Sequence, residues 1–150
     1  MKHRKWLLSI IILICIAGWL GTQFTGEESI SQATGTDLSK TDRIIFYDGS
    51  GFQKPFALTD QTKISTFRKL LERYTVIKQN KQGDSKGWKH KAIFFDGNEE
   101  LCDIVFSNPL SINGINYEVV SDEKFSREIT AFIESVAQGE AEKKVLEAPG

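Results

Sequence analysis

Apolar residues follow three different rhythms along this chain. From Trp6 to Leu20 they are continuous, WLLSIIILICIAGWL, with Ser9 the only polar interruption. From Ile44 onward they come in short β-branched and aromatic runs punctuated by Asp-Gly and Asn-Gly pairs. In two later stretches they recur at every third or fourth position. A long unbroken run is a membrane or export signal, short runs between turn residues are strands, and the three-to-four spacing marks an amphipathic helix.

The strand pattern predicts segments at 44–47, 54–58 (an edge, because of Pro55), 75–78, 91–95, 101–106, 110–112 and 115–120. Asn113-Gly114 between two apolar runs predicts a tight hairpin, since both residues tolerate positive φ. Ile64, Phe67, Leu71 and Tyr74 predict one helix, capped by Thr59 or Asp60. Phe125, Ile129, Phe132, Ile133 and Val136 predict a second, capped by Ser121, with Asp122 and Glu123 favourable in its first turn and Gly139 as its stop. The expected fold class is α+β: an N-terminal transmembrane helix, then a small antiparallel sheet with two helices packed on one face. Phe46, Phe67, Leu71, Ile93, Phe95, Ile104, Phe106, Tyr117, Phe125, Ile129 and Phe132 supply its core.

The apolar run follows a basic cluster, Lys2, His3, Arg4 and Lys5, and residues 6–26 carry no charge. As a helix that stretch reaches roughly 30 Å, enough to cross a bilayer. Trp6 and Trp19 stand near its two ends, where indoles favour the headgroup level, and no small-residue cleavage site follows. Residues 6–24 are therefore expected to be an uncleaved signal anchor; the alternative is a cleaved signal peptide and a secreted chain. Ile14 before Cys15 makes a poor lipid-attachment motif, so Cys15 reads as an apolar membrane residue. The basic flank, residues 1–5, is expected to stay in the cytoplasm and the remainder to face outward.

Residues 25–42 are rich in Ser, Thr, Gly and acids, and Ile30 and Leu38 have no periodic companions. They are expected to form a flexible linker. Residues 138–150 read as a charged tail, leaving 43–137 as the extracytoplasmic domain.

Composition narrows the chemistry. The 150 residues hold 19 Lys and Arg, 20 Asp and Glu and only two Cys, which excludes a disulfide scaffold and argues against nucleic acid as a partner. Cys102 shares a strand face with Ile104 and Phe106, so a buried, inert thiol is expected. His90, between Lys89 and Lys91, reads as a solvated loop residue without metal-ligating neighbours. Asp48 and Asp96 each precede Gly and serve turns. Glu99, Glu100 and Asp103 lack the oxygen-ligand spacing of an EF-hand. No nucleotide, metalloprotease or nucleophile-elbow motif occurs, and no catalytic residue, metal or cofactor is expected.

Charge is uneven. Residues 63–91 carry nine Lys and Arg against Glu72 and Asp84, while 96–134 carry nine acids against Lys124 and Arg127. The densest basic part, 78–91, is expected to be a long loop. Lys78, Lys81, Lys86, Lys89 and Lys91, with Trp88, make a candidate surface for an anionic partner: lipid headgroups, a wall polymer or an acidic protein. The competing reading is a solvated loop whose charges pair with the acidic half.

KHRKWLLSIIILICIAGWL, the polar stretch after it and the block ending in INGINYEVV together resemble the layout of small membrane-anchored or exported proteins of Gram-positive bacteria. The resemblance covers the whole chain and is one of architecture. It implies a single-pass, cell-envelope location and carries over no functional residue. The expected function is a membrane-tethered extracytoplasmic binding or accessory domain, non-enzymatic. The alternative is a cell-envelope enzyme or enzyme inhibitor, which a pocket gathering titratable groups around His90 or Cys102 would favour.

Overall fold

The structure is a computed structural model that describes residues 26–51, 53–80 and 88–146, with Trp88 and 143–146 described by backbone alone. Eight strands form one sheet: β1 Glu27–Ser29, β2 Arg43–Asp48, β3 Phe56–Leu58, β4 Thr75–Lys78, β5 Trp88–Asp96, β6 Glu99–Ser107, β7 Leu110–Ile112 and β8 Ile115–Val119. Their order is β1-β4-β8-β7-β6-β5-β2-β3, and every neighbouring pair is antiparallel. Among the described residues three helices accompany them: α1 Ile30–Ala33, α2 Gln61–Glu72 and α3 Asp122–Leu146. The α+β class and the antiparallel sheet are as the apolar rhythm predicts. None of the described helices is long and apolar enough to cross a membrane, and the expected span, 6–24, lies outside the described residues.

β5, β6, β7 and β8 follow one another as hairpins, while β3 and β4 stand at opposite sides of the sheet. Helix α2 carries the chain between them. Asp60 caps α2 by accepting from the Thr62 and Lys63 amides at 2.9 and 3.1 Å. Phe67, in the middle of α2, packs its ring on Phe46 of β2 at 5.3 Å, Phe94 of β5 at 6.0 Å and Phe106 of β6 at 6.2 Å. It also stacks on Phe132 of α3 at 4.8 Å. Both long helices therefore cover one face of the sheet, with Phe67 between them.

The inward positions of β5 are His90, Ala92 and Phe94, all buried; Ile93 and Phe95, expected in the core, lie half-buried on the other face. There the Arg43 guanidinium covers the Phe95 ring, 4.6 Å from its centre. In β6 the expected phase holds: Cys102, Ile104 and Phe106 face inward, and Cys102 is a free, buried thiol. At the β7–β8 hairpin Asn113 and Gly114 have φ of 50° and 77°, the left-handed pair that the Asn-Gly signal demands.

Three expectations about boundaries are corrected. The stretch assigned as linker, 25–42, is folded from Glu27 onward. Ser29 and Gln32 form a capping box at α1, Asp37 caps the short 3-10 turn Leu38–Lys40, and Ile30 and Leu38 are buried. These two residues lack periodicity because each belongs to a different one-turn element and enters the core alone. Secondly, the tail assigned to 138–150 continues α3 through Gly139 to Leu146. A glycine ends a helix when it takes a left-handed φ, and Gly139 does not; the following Glu, Ala, Lys and Leu are good helix formers. Thirdly, the loop assigned to 78–91 is in part strand, since Lys78 ends β4 and β5 begins at Trp88.

Candidate functional site: a cleft at the start of the long helix

The inward alternation of β5 brings His90 to the end of the sheet where β6 runs out and α3 begins. His90 lies across from Phe106 on one side and Asp48 on the other. A register shift between Trp88 and His90 loosens the pairing just there. Asp122, Phe125, Ser126, Ile129 and Thr130 lie along one stripe of α3 and close the space against the strands. Between them is a cavity of about 190 Å³, floored by His90, Phe106 and Phe125 and edged by Lys89, Ser107 and Asn108. A more open groove continues outward past Lys89, Glu123, Arg127 and Glu134.

Only 7% of His90 is exposed, and neither ring nitrogen has a hydrogen-bond partner among the described residues. Burial, reinforced by the neighbouring Lys89 ammonium, pushes its pKa below the usual histidine value; Asp48 and Glu134 oppose this more weakly. The imidazole is therefore neutral at neutral pH, with one N–H and one lone pair unsatisfied. Leaving such groups buried and unpaired costs about 1–3 kcal/mol. Two pairs of polar groups at the rim are engaged. Asn108 Nδ2 donates to Asp122 Oδ2 at 3.3 Å, and the Ser107 hydroxyl donates to the Pro109 carbonyl at 2.6 Å.

The solvated-loop reading of His90 is thus overturned. The sequence holds no clear signal for the buried ring, because Ala92-Ile93-Phe94-Phe95 is a continuous apolar run and the flanking lysines point to a loop. Lys89 is exposed at the cleft mouth. The other members of the basic candidate surface are not brought together with it. Lys91 is ion-paired with Asp103 at 3.0 Å, both partly buried. Exposed Lys78 ends β4, four strand positions from β5, or roughly 19 Å. Lys81 and Lys86 lie outside the described residues, and of Trp88 only the backbone is described. The basic and acidic halves interleave rather than face apart: Arg73 reaches Glu128 at 2.9 Å, and Tyr74 donates to the same carboxylate at 2.8 Å.

Cys102 is remote from this chemistry. Burial pushes its thiol pKa up to about 12, so it is no nucleophile at neutral pH. Among the described residues no three or more His, Cys, Asp or Glu gather as metal ligands. Comparison with family models, with curated proteins and with solved structures finds no match for this chain.

Proposed function

We propose that this chain is a membrane-tethered, extracytoplasmic binding or accessory domain, non-enzymatic, with the His90 cleft as its ligand site. The observation that carries the reading is the imidazole: a buried ring whose nitrogens have no partner among the described residues, on the wall of a cavity that opens beside a helix start. In a protein interior such a group is normally satisfied. A ligand that enters the cavity and draws the ring toward it would supply a missing partner, which accounts for its retention.

The tether rests on the uncharged stretch with its basic flank and terminal tryptophans, as in the exported proteins it resembles. With the span at 6–24 and β1 starting at Glu27, two residues separate domain from membrane, a reach of about 7 Å. The cleft would then be held close to whatever the envelope presents, which raises the effective concentration of a surface ligand.

The alternative, an envelope enzyme or inhibitor, draws on the same cavity, where Lys89, His90 and Asp122 bring together three titratable groups. That gathering counts toward the alternative; what is set against it is the lack of a nucleophile in place among the described residues. Nucleophilic catalysis needs a hydroxyl hydrogen-bonded to the base, whereas His90 has no such partner among the described residues and the Ser107 proton goes to a backbone carbonyl.

The test uses the full chain with a tag at its C-terminus. The chain should resist alkaline extraction from membranes, and protease added to intact cells should remove the tag. Soluble fragments of digested envelope should raise the Tm of the wild type and leave His90→Gln unmoved. A tag protected on intact cells would end the proposed topology, and an equal response by both chains would end the cleft.

A further inference from the structure

Resting on the reading of the cleft as a ligand site, we infer that the group it takes is neutral and rich in hydroxyls, one sugar ring of a glycan, and that anions are disfavoured there.

The polar lining sets the first requirement. A neutral imidazole carries one donor and one acceptor on either side of one ring carbon; both nitrogens are covered, so a ligand that draws the ring toward the cavity must give a proton to one nitrogen or take one from the other. A hydroxyl does either. Ser126 and Thr130, on the α3 side, are themselves hydroxyls with the same double capacity. Asp122 holds Asn108 with one oxygen, so its carboxylate adds acceptor capacity for a ligand O–H.

Charge sets the second. A helix start ordinarily favours an anion. Here Asp122 and Glu123 occupy the first turn of α3 and already answer its positive end. Glu134 borders the groove outside. A phosphate or carboxylate would meet Asp122 beside Lys89 in the cavity itself and, with the groove included, three acids against two cations. A neutral ligand meets no such repulsion.

Shape sets the third. The Phe106 and Phe125 rings stand 6.0 Å apart, tilted by 48°, and with Ile129 give the cavity an apolar wall. A sugar ring pairs hydroxyls around its rim with C–H faces that pack on aromatic carbon. The volume equals that of about six waters, enough for one ring, while the open groove beyond leaves a path for the rest of a polymer.

The experiment uses the full chain, labelled on its histidine rings and held in a detergent without a sugar headgroup. His90 signals are identified by their loss in His90→Gln. Neutral oligosaccharides (chitotetraose, maltotetraose and cellotetraose) and, separately, sodium polyphosphate are titrated in. At least one neutral oligosaccharide is expected to shift the His90 ring saturably, with an affinity that changes less than about twofold across a severalfold rise in salt. Ser126→Ala/Thr130→Ala should weaken that binding about tenfold without unfolding the chain. If polyphosphate moves His90 as well as or better than the sugars do, the cleft remains a ligand site and its assignment to neutral glycans falls. If neither class moves His90, both the glycan assignment and the cleft as a ligand site fall.

Discussion

Asp48 and His90 face each other across the β2–β5 register, yet the carboxylate does not serve the imidazole. Asp48 Oδ1 accepts from the Ser50 amide at 3.0 Å, and Oδ2 accepts from the Gln53 amide at 3.1 Å and from the Ser50 hydroxyl. These bonds, led by the Ser50 hydroxyl, hold its pKa below the usual carboxylate value. The residue that would most naturally satisfy His90 is spent on its own turn. Among the described residues the ring is thus left without a partner at the end of β5.

Replacing His90 should therefore not destabilise the domain as loss of a core contact would. His90→Phe removes two buried polar atoms that lack partners, a cost of about 1–3 kcal/mol, and offsets part of the gain by crowding Phe106. The expected result in thermal or urea unfolding is a Tm equal to or above wild type, with no further rise in Tm when neutral oligosaccharide is added. A fall of several kcal/mol would show that the imidazole is structurally satisfied.

The same ring predicts a pH window. Its folded pKa lies below the unfolded value, so between the two the unfolded chain binds the extra proton. Its contribution to stability is therefore complete above about pH 6.5, declines as pH falls through the gap and levels off below the folded pKa. Lys89 works in this direction, while Asp48 and Glu134, and Asp122 across the cavity, oppose it. Unfolding free energy measured from pH 8 to 5 should fall in the wild type and fall less in His90→Gln. Parallel curves would remove the buried neutral imidazole from the account.

Strand phase explains what the sequence disclosed and what it hid. Cys102, Ile104 and Phe106 alternate with polar or smaller residues, so their inward phase was legible. β5 reads as a continuous apolar run, Ala92-Ile93-Phe94-Phe95, which has no phase of its own, and the more bulky Ile93 and Phe95 went to the wrong side. The hairpin at Asn113-Gly114 and the stripe on α3 were legible because local chemistry fixes them. The cleft was not, since it joins residues more than thirty positions apart through a sheet order that local pattern does not encode. Residues 27–41 were hidden for another reason: one-turn elements held by caps and single buried side chains leave no period to read.

That segment gives the third prediction. Ile30 is fully buried, its amide donates to the Tyr74 carbonyl at 3.1 Å, and Asn113 Nδ2 reaches the Thr34 carbonyl at 3.1 Å. Ile30→Ala should cost about 2–5 kcal/mol, the range for a fully buried aliphatic side chain. A flexible linker would tolerate the change within about 0.5 kcal/mol. Urea unfolding of the two chains distinguishes these outcomes.

The last prediction concerns Cys102, which burial removes from redox chemistry. Its side chain is 3% exposed, and desolvation dominates the rise of its thiol pKa to about 12, against a lowering by a hydrogen bond to Thr36. At neutral pH the thiolate is then a minute fraction, and a reagent reaches the sulfur only when the sheet opens. In a Cys15→Ala background, so that one thiol remains, labelling by a disulfide reagent should follow the unfolding equilibrium and accelerate with urea in proportion to the unfolded population. Thr36→Val should leave the native labelling rate slow, because solvent exclusion by the strands, more than that hydrogen bond, protects the sulfur. Cys102→Ser should cost about 1–3 kcal/mol by placing a hydroxyl where a weakly polar thiol sat, even with Thr36 beside it. Fast labelling of the folded chain, at a rate insensitive to urea, would mean that Cys102 is open to solvent and that the inward phase of β6 is wrong at this position.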